Sequence, residues 1–119
     1  MSPSWSGKRT RERLTRYAGQ RFAGRYARLD IRFRGQFCYV DAFEEPDDFL
    51  DSPLDARRRE RLRETPIHLC RLRYFGDEER WGFAFYKYSN ERYELSAFPS
   101  GDFLGPPEEA FEESAGVYL

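Results

Sequence analysis

The sequence predicts an α+β fold, in which an antiparallel sheet of about five strands carries one helix from each end of the chain. Two observations predict this fold. Segments with the pattern of β-strands, separated by short turns, form a hairpin at 26–43 and a meander at 67–98. Helical spacing of apolar residues is clearest near the two ends, after Arg9 and after Pro107. Strands joined by short turns pair antiparallel, and the two helices can then bury their apolar stripes on the sheet.

A single domain accounts for the 119 residues, and we place it at 9–119, behind a flexible arm at 1–8. Two cysteines, Cys38 and Cys70, are too few for a disulfide scaffold and indicate a reducing compartment. The N-terminus lacks the apolar run of a signal peptide, and no stretch is long and apolar enough to span a bilayer. The sequence therefore predicts a cytoplasmic protein.

The first helix is predicted from Arg9 to Ala18. Leu14 and Tyr17 fall at helical spacing with Ala18, and Gly19 is a typical helix stop. Phe22 continues the apolar stripe, so a helix that runs on past Gly19 stays open. The opposite face is basic and consists of Arg9, Arg11, Arg13 and Arg16. The pattern indicates a short amphipathic helix with one apolar and one cationic face.

The clearest pattern in the chain is the alternation that follows Tyr26. The apolar positions are Ala27, Leu29, Ile31 and Phe33, and the polar ones are Arg28, Asp30, Arg32 and Arg34. Such alternation is typical of a half-buried strand. Gly35-Gln36 has the length of a hairpin turn, with glycine at the first central position of a type II′ turn. The return strand is predicted from Phe37 to Phe43.

An acidic loop and a weakly amphipathic helix are predicted between the hairpin and the meander. The loop covers 44–52 and contains Pro46. Ser52-Pro53 then resembles a helix start, with serine as the N-cap and proline at the first helical position. This helix is predicted to run from Pro53 to about Glu64, with few apolar residues to bury.

Three further strands and a helix complete the chain. The strands are predicted at 67–75, 80–88 and 92–98, with turns between them that contain glycine or asparagine. The stretch at 105–109, Gly-Pro-Pro-Glu-Glu, opens the last helix, because proline suits the first turn and carboxylates face the positive end of the helix dipole. The apolar stripe of that helix consists of Ala110, Phe111, Ser114, Ala115 and Tyr118.

The fourth predicted strand has two different faces. Trp81, Phe83 and Phe85 point to one side, whereas Gly82 and Ala84 point to the other. We expect the C-terminal helix to dock over Gly82 and Ala84, because small residues leave room for it. On that expectation Gly82→Val overpacks the core and destabilises the protein.

Three stretches of the chain resemble a family of small uncharacterised bacterial proteins. They are His68-Leu-Cys-Arg-Leu-Arg-Tyr-Phe-Gly76, Phe83-Ala-Phe-Tyr-Lys-Tyr-Ser-Asn-Glu-Arg-Tyr-Glu94 and Phe98-Pro-Ser-Gly…Gly-Pro-Pro-Glu-Glu-Ala-Phe111. The resemblance covers roughly 25–119. It implies a bacterial source and no assigned activity, so it transfers no catalytic residues. The last stretch is also similar to the strand-to-helix passage of HicB-like antitoxins.

No motif indicates catalysis, a metal or a cofactor. His68 shares a predicted strand face with Cys70, and Cys38 could lie nearby, but these residues make neither a four-ligand zinc set nor an assured thiol–base contact. The carboxylates at 41–51 lack the spacing of a calcium loop, and Pro46 interrupts them. Phosphate-binding and serine-hydrolase loops are absent. The sequence therefore predicts a protein without enzymatic activity, metal or cofactor, although an enzyme of an unrecognised type stays open.

Charge is distributed unevenly. Residues 1–34 hold ten basic and two acidic side chains, a net of +8, whereas 41–55 hold seven acidic and no basic ones. The candidate residues for binding an anionic partner are Arg9, Arg13, Arg16, Arg28, Arg32, Arg34, Arg71 and Arg73. The simplest alternative is that these arginines are solvated or pair with acids of the same chain.

The polarised charge and the lack of a catalytic set favour a non-catalytic protein-interaction or regulatory module, whose partner is another protein or a second copy of the chain. The alternative is nucleic-acid binding through the Arg-rich N-terminal helix and the first strand. The net charge of −1 argues against this alternative, because dedicated nucleic-acid-binding domains are often strongly basic.

Overall fold

The computed structural model of the protein describes residues 7–44, 57, 60–61 and 63–119. It has the predicted α+β architecture, with a helix from each end of the chain packed on an antiparallel sheet. In chain order the helices and strands are α1 (Gly7–Arg21), β1 (Arg28–Arg34), β2 (Phe37–Phe43), β3 (Ile67–Tyr74), β4 (Trp81–Lys87), β5 (Arg92–Ser96), β6 (Leu104–Gly105) and α2 (Pro107–Tyr118).

The first helix begins earlier than predicted, at Gly7, and it runs on past Gly19 to Arg21, the alternative that the position of Phe22 left open. The rest of the predicted arm, residues 1–6, lies outside the described residues. So does most of the predicted acidic loop, residues 45–52. Of the helix predicted at 53–64, the described residues are helical, and the others lie outside the described part of the chain.

The sheet confirms the predicted hairpin and meander. Its strands follow the order β1-β2-β3-β4-β5, every pair is antiparallel, and β6 pairs with β4 beyond the end of β5. Gly35 has a φ of 60°, which a type II′ turn requires at its first central position and which glycine adopts without steric cost. Local alternation and turn chemistry therefore account for the hairpin and for the meander, whereas the pairing of β2 with β3 joins segments that are distant in sequence.

The core lies between the two helices and one face of the sheet. α1 contributes Leu14 and Ala18, and α2 contributes Phe111, all fully buried. The ring of Phe111 meets that of Phe22 edge-to-face, with centroids 5.6 Å apart. From the sheet come Val40, Cys70, Leu72, Trp81 and Phe83. No helix in the described part of the chain is long and apolar enough to cross a membrane.

The expectation that the C-terminal helix covers Gly82 and Ala84 is wrong. The ring of Tyr118 in α2 stacks on Phe85, with centroids 5.3 Å apart, so α2 lies on the face of β4 that carries the large rings. Gly82 and Ala84 alternate with these rings and therefore face the other side. Packing a helix on large apolar side chains removes more apolar area from water than packing it on glycine and alanine.

A β-bulge in β3 puts on opposite faces two residues that the sequence assigns to the same face. Val40 pairs with Cys70 but Asp41 pairs with His68, so Leu69 is an extra residue in β3. His68 therefore joins Asp41 on the face away from the helices, whereas Cys70 joins Val40 in the core. The prediction that His68 and Cys70 share a strand face is wrong for this reason.

Candidate functional site

The face of the sheet that turns away from the helices is the candidate functional site, and we call it the open face. Residues that pair across antiparallel strands point to the same side, so its side chains form rows across the sheet. One row consists of Arg32, Tyr39, Arg71, Ala84 and Leu95. The next row consists of Arg34, Phe37, Arg73, Gly82 and Leu104. Both rows place arginines on β1 and β3, an aromatic ring on β2 and a small residue on β4.

The arginines of β3 rest on aromatic rings of the open face. The Cζ atom of Arg71 lies 4.8 Å from the ring centroid of Phe37 and 5.4 Å from that of Tyr93. The Cζ atom of Arg73 lies 4.9 Å from the centroid of Phe75. Such cation–π contacts hold a guanidinium in place while its N–H groups can still donate to an anion. In the described part of the chain, neither Arg71 nor Arg73 forms an ion pair with a carboxylate.

The small residues of β4 leave a pocket of about 300 Å³ in the open face, which we call the β4 pocket. Its lining consists of Phe37, Arg71, Arg73, Phe75, Gly82, Phe83, Ala84 and Leu95. Two of its apolar side chains are unusually exposed, since Phe75 is 55% and Leu95 84% accessible to solvent. The pocket therefore combines an apolar interior with two guanidinium groups.

Gly82 allows the ring of Phe75 to lie directly over β4. A Cβ atom at position 82 would stand 2.8 Å from Cε2 of Phe75, closer than a real Cβ contact. A side chain at this position must therefore displace the Phe75 ring or occupy the pocket. The close approach of Phe75, and not the packing of a helix, therefore explains why residue 82 is glycine.

A second cleft lies at the β1 end of the open face. It has a volume of about 430 Å³ and is lined by Arg32, Phe33, Arg34 and Tyr39. The guanidinium of Arg32 lies 5.9 Å from the ring centroid of Tyr39. Arg34 is exposed and has no carboxylate partner among the described residues. The β4 pocket and this cleft thus both pair guanidinium groups with aromatic rings.

Asp41 forms a polar network beneath this surface. Its side chain is 2% exposed, and it accepts a hydrogen bond of 2.8 Å from Nη2 of Arg32. Its other oxygen lies 2.9 Å from Nδ1 of His68. The ring of Tyr86 lies 4.7 Å from that of His68. Burial, followed by the charge of Asp41, raises the pKa of the nearby Tyr93 phenol. The buried carboxylate of Asp41 therefore fixes the position of the exposed Arg32 guanidinium.

The predicted arginine set divides between two sides of the molecule. Arg28, Arg32, Arg34, Arg71 and Arg73 belong to the sheet, whereas Arg9, Arg13 and Arg16 belong to α1. Arg28 lies over the ring of Phe43, with 3.9 Å between Cζ and the centroid. The sheet therefore gathers five of the eight arginines.

The arginines of α1 are largely engaged within the chain. Arg13 donates to both oxygens of Glu108 at 2.6 and 2.9 Å and to Glu79 at 2.5 and 3.1 Å. The hydrogen bonds that Arg13 donates to Glu108 are the main reason why the pKa of Arg13 is raised above its ordinary value. Arg9 pairs with Glu78 at 2.9 Å. Arg16 is exposed. The α1 part of the predicted set is thus less available to a partner than the sheet part.

The two thiols are structural in character. Cys38 and Cys70 are both fully buried, and burial raises the pKa of the Cys70 thiol to about 12. A thiol with so high a pKa is a poor nucleophile at neutral pH. Within the described residues, no group of three or more His, Cys, Asp or Glu side chains is placed to hold a metal ion.

Sequence reasoning missed the aromatic half of the open face. Phe37, Tyr39 and Phe75 were assigned to strands but not to a site, and Leu95 was not singled out. The alternation in β2 could have placed Phe37 and Tyr39 beside Arg32 and Arg34. The exposed position of Leu95 could not be read in this way, because it depends on which face the helices cover.

Comparison of the chain with protein-family models, curated proteins and solved structures gives no match. The resemblance of 25–119 to a family of small bacterial proteins therefore stays a prediction.

Proposed function

We propose that the chain is a non-catalytic interaction module of the bacterial cytoplasm, whose open face binds an acidic segment of a partner protein. The observation that carries the proposal is the open face itself: arginines from β1 and β3 stand among aromatic rings on a sheet surface that neither α1 nor α2 covers. Arginine, tyrosine and phenylalanine are enriched at protein interfaces, where rings supply apolar area and guanidinium groups bind carboxylates.

The balance of charge on the open face favours an anionic partner. Arg34, Arg71 and Arg73 have no carboxylate partner in the described part of the chain. Among the described residues, the acids of this face are Asp30 and Asp41; both contact Arg32, and Asp41 also contacts His68. The surface therefore carries an excess of positive charge, although the net charge of the chain is −1.

The apolar content of the face favours a protein over a simple polyanion. Phe75 and Leu95 expose large apolar side chains beside the β4 pocket. Exposed apolar groups that adjoin one another are typical of surfaces that another protein covers. A partner segment with acidic and apolar residues would satisfy both features.

Single-stranded nucleic acid is a second candidate, and the cleft at β1 favours it. Arg32 and Arg34 flank Tyr39 there, and aromatic rings beside guanidinium groups suit the stacking of bases and the neutralisation of phosphates. This candidate uses the first strand, as the sequence predicted, but not the N-terminal helix, whose arginines Arg9 and Arg13 pair with carboxylates.

A titration followed by ¹⁵N NMR tests the proposal. The probes are a peptide with one phenylalanine between glutamates and a single-stranded oligothymidine, each at low and at high salt. We expect the peptide to shift amide signals of β2, β3 and β4 and to bind more weakly as salt rises. Replacing Arg71 and Arg73 by alanine should weaken peptide binding about tenfold, a change of ~1.4 kcal/mol.

The matched control removes the same number of arginines from α1. The Arg9→Ala and Arg16→Ala double variant should change peptide affinity less than about twofold, because long-range effects of exposed charges are screened. Binding of oligothymidine in place of the peptide, weakened by Arg34→Ala in the cleft at β1, would select the second candidate. Absence of shifts with both probes at low salt would reject both.

A further inference from the structure

We infer that the β4 pocket takes a single aromatic side chain of the partner, with a neighbouring carboxylate bound by Arg71 and Arg73. This inference rests on the proposed function and names the residue class that anchors the acidic segment. Protein interfaces concentrate their binding energy in a few aromatic or arginine contacts that fill pockets. The β4 pocket is a concave part of the open face with a mainly apolar lining.

The size of the pocket fits one ring. Its volume of about 300 Å³ lies at the lower end of the range for small-ligand sites. β4 forms the floor of the pocket, where Ala84 has a single methyl group and the ring of Phe75 lies over Gly82 as one wall. Neighbouring positions on β3 and β2 carry long or aromatic side chains, so the depression is confined to β4 and its edges.

The walls of the pocket favour an aromatic occupant over an aliphatic one. Phe37 and Phe75 stand in its lining, and aromatic rings gain additional energy from offset or edge-to-face contacts with one another. Leu95 supplies an exposed apolar wall on β5 that an inserted ring would cover. Covering Leu95 and Phe75 removes from water two of the most exposed apolar side chains in the described part of the chain.

The two arginines define the second part of the ligand. Arg71 and Arg73 both lie over Phe37, at 4.8 and 5.7 Å from its centroid, and therefore border the same ring that borders the pocket. Guanidinium groups bind carboxylates through paired N–H donors. The recognised unit is thus an aromatic ring with a carboxylate a few bonds away, as in phenylalanine beside glutamate.

The test uses 3-phenylpropionate, which carries both groups, and propionate, which lacks the ring. In ¹⁵N NMR titrations of the full chain, we expect 3-phenylpropionate to shift the amide signals of Gly82, Ala84 and Leu95, and propionate to leave them unchanged. Gly82→Val should abolish these shifts, because the new side chain fills the pocket or pushes Phe75 into it. The matched control is Gly116→Val, since Gly116 is exposed on α2 with nothing within 4 Å of an added Cβ.

A second variant keeps the test decisive if Gly82→Val does not fold. Leu95 is so exposed that Leu95→Ala should leave the fold intact while weakening 3-phenylpropionate binding about threefold or more. Phe103→Ala is its control, because Phe103 is 72% exposed and lies outside the pocket. Equal effects of the two substitutions on 3-phenylpropionate binding would overturn the inference.

Two peptides separate this inference from the proposed function. If a glutamate peptide binds equally well with phenylalanine or alanine at its centre, the open face binds acidic segments but the pocket does not take a ring. If neither peptide binds while 3-phenylpropionate shifts Gly82 and Ala84, the pocket assignment stands and the proposed partner is wrong. Shifts of these residues with adenosine monophosphate but not with 3-phenylpropionate would overturn the inference in favour of a nucleotide.

Discussion

Asp41 is a buried acid of the open face, and its charge stabilises two neighbouring side chains. Its buried carboxylate contacts the guanidinium of Arg32 and the ring of His68. Asp41→Asn keeps the shape of the side chain but removes the charge that compensates these donors. We expect the free energy of unfolding, measured by urea denaturation at neutral pH, to fall by about 1–3 kcal/mol.

Asp30→Asn is the control for that substitution. Asp30 contacts the same guanidinium, with 3.2 Å between Oδ2 and Nε of Arg32, but its side chain is 39% exposed. An exposed ion pair contributes less than about 1 kcal/mol, so Asp30→Asn should change stability little. Equal losses for the two substitutions would mean that burial of Asp41 contributes nothing beyond the ion pair.

At the scale of elements, Arg13 joins three parts of the chain. It extends from α1 to Glu108 at the start of α2 and to Glu79 in the turn before β4. Its side chain is 24% exposed, so water replaces these contacts poorly. We expect Arg13→Ala to lower the free energy of unfolding by about 1–3 kcal/mol, because it removes charged hydrogen bonds to both partners.

Arg9→Ala is the matched substitution on the same helix. Arg9 pairs with Glu78, but its side chain is 69% exposed. Its loss should cost less than about 1 kcal/mol in the same urea titration. If Arg9→Ala destabilised the protein as much as Arg13→Ala, general charge balance, and not the specific contacts of Arg13, would hold α1 in place.

The elements also show what the sequence could and could not predict. The β1–β2 hairpin follows from local alternation and from Gly35, and both are visible in the sequence. The side of β4 that receives α2 depends on contacts between distant parts of the chain, so the sequence predicts the wrong face of β4 for the helix. The bulge at Leu69 shifts His68 by one position, and no local pattern indicates it. The ion pairs of Arg13 join residues more than sixty positions apart and are equally hidden.

At the scale of the whole molecule, net charge is a poor guide to the surface. The overall charge of −1 conceals two different populations of arginine. Those on α1 mostly neutralise carboxylates of the same chain and connect helices. Those on β1 and β3 stand on aromatic rings and leave the open face positive. The fold thus separates arginines that stabilise the protein from arginines that are available for binding.

Buried acidic protons make the whole molecule sensitive to alkali. Burial raises the pKa of Cys70 from 9.0 to about 12, and burial also raises the pKa values of Cys38 and Tyr93. The unfolded chain then loses these protons at lower pH than the folded chain. The stabilisation from the two thiols is therefore fully present below pH ~9 and is lost as the pH rises towards ~12, by at most about 1.4 kcal/mol per pH unit for each of Cys38 and Cys70. The Tyr93 phenol is only partly buried, so solvent screens its contribution and makes it smaller. Urea denaturation at neutral pH and at steps above pH 9 measures this slope.

In the Cys38→Ala and Cys70→Ala double variant the slope should be shallower, because two of the titrating groups are gone. A free energy of unfolding that stays constant up to pH 11 would contradict the burial of these protons.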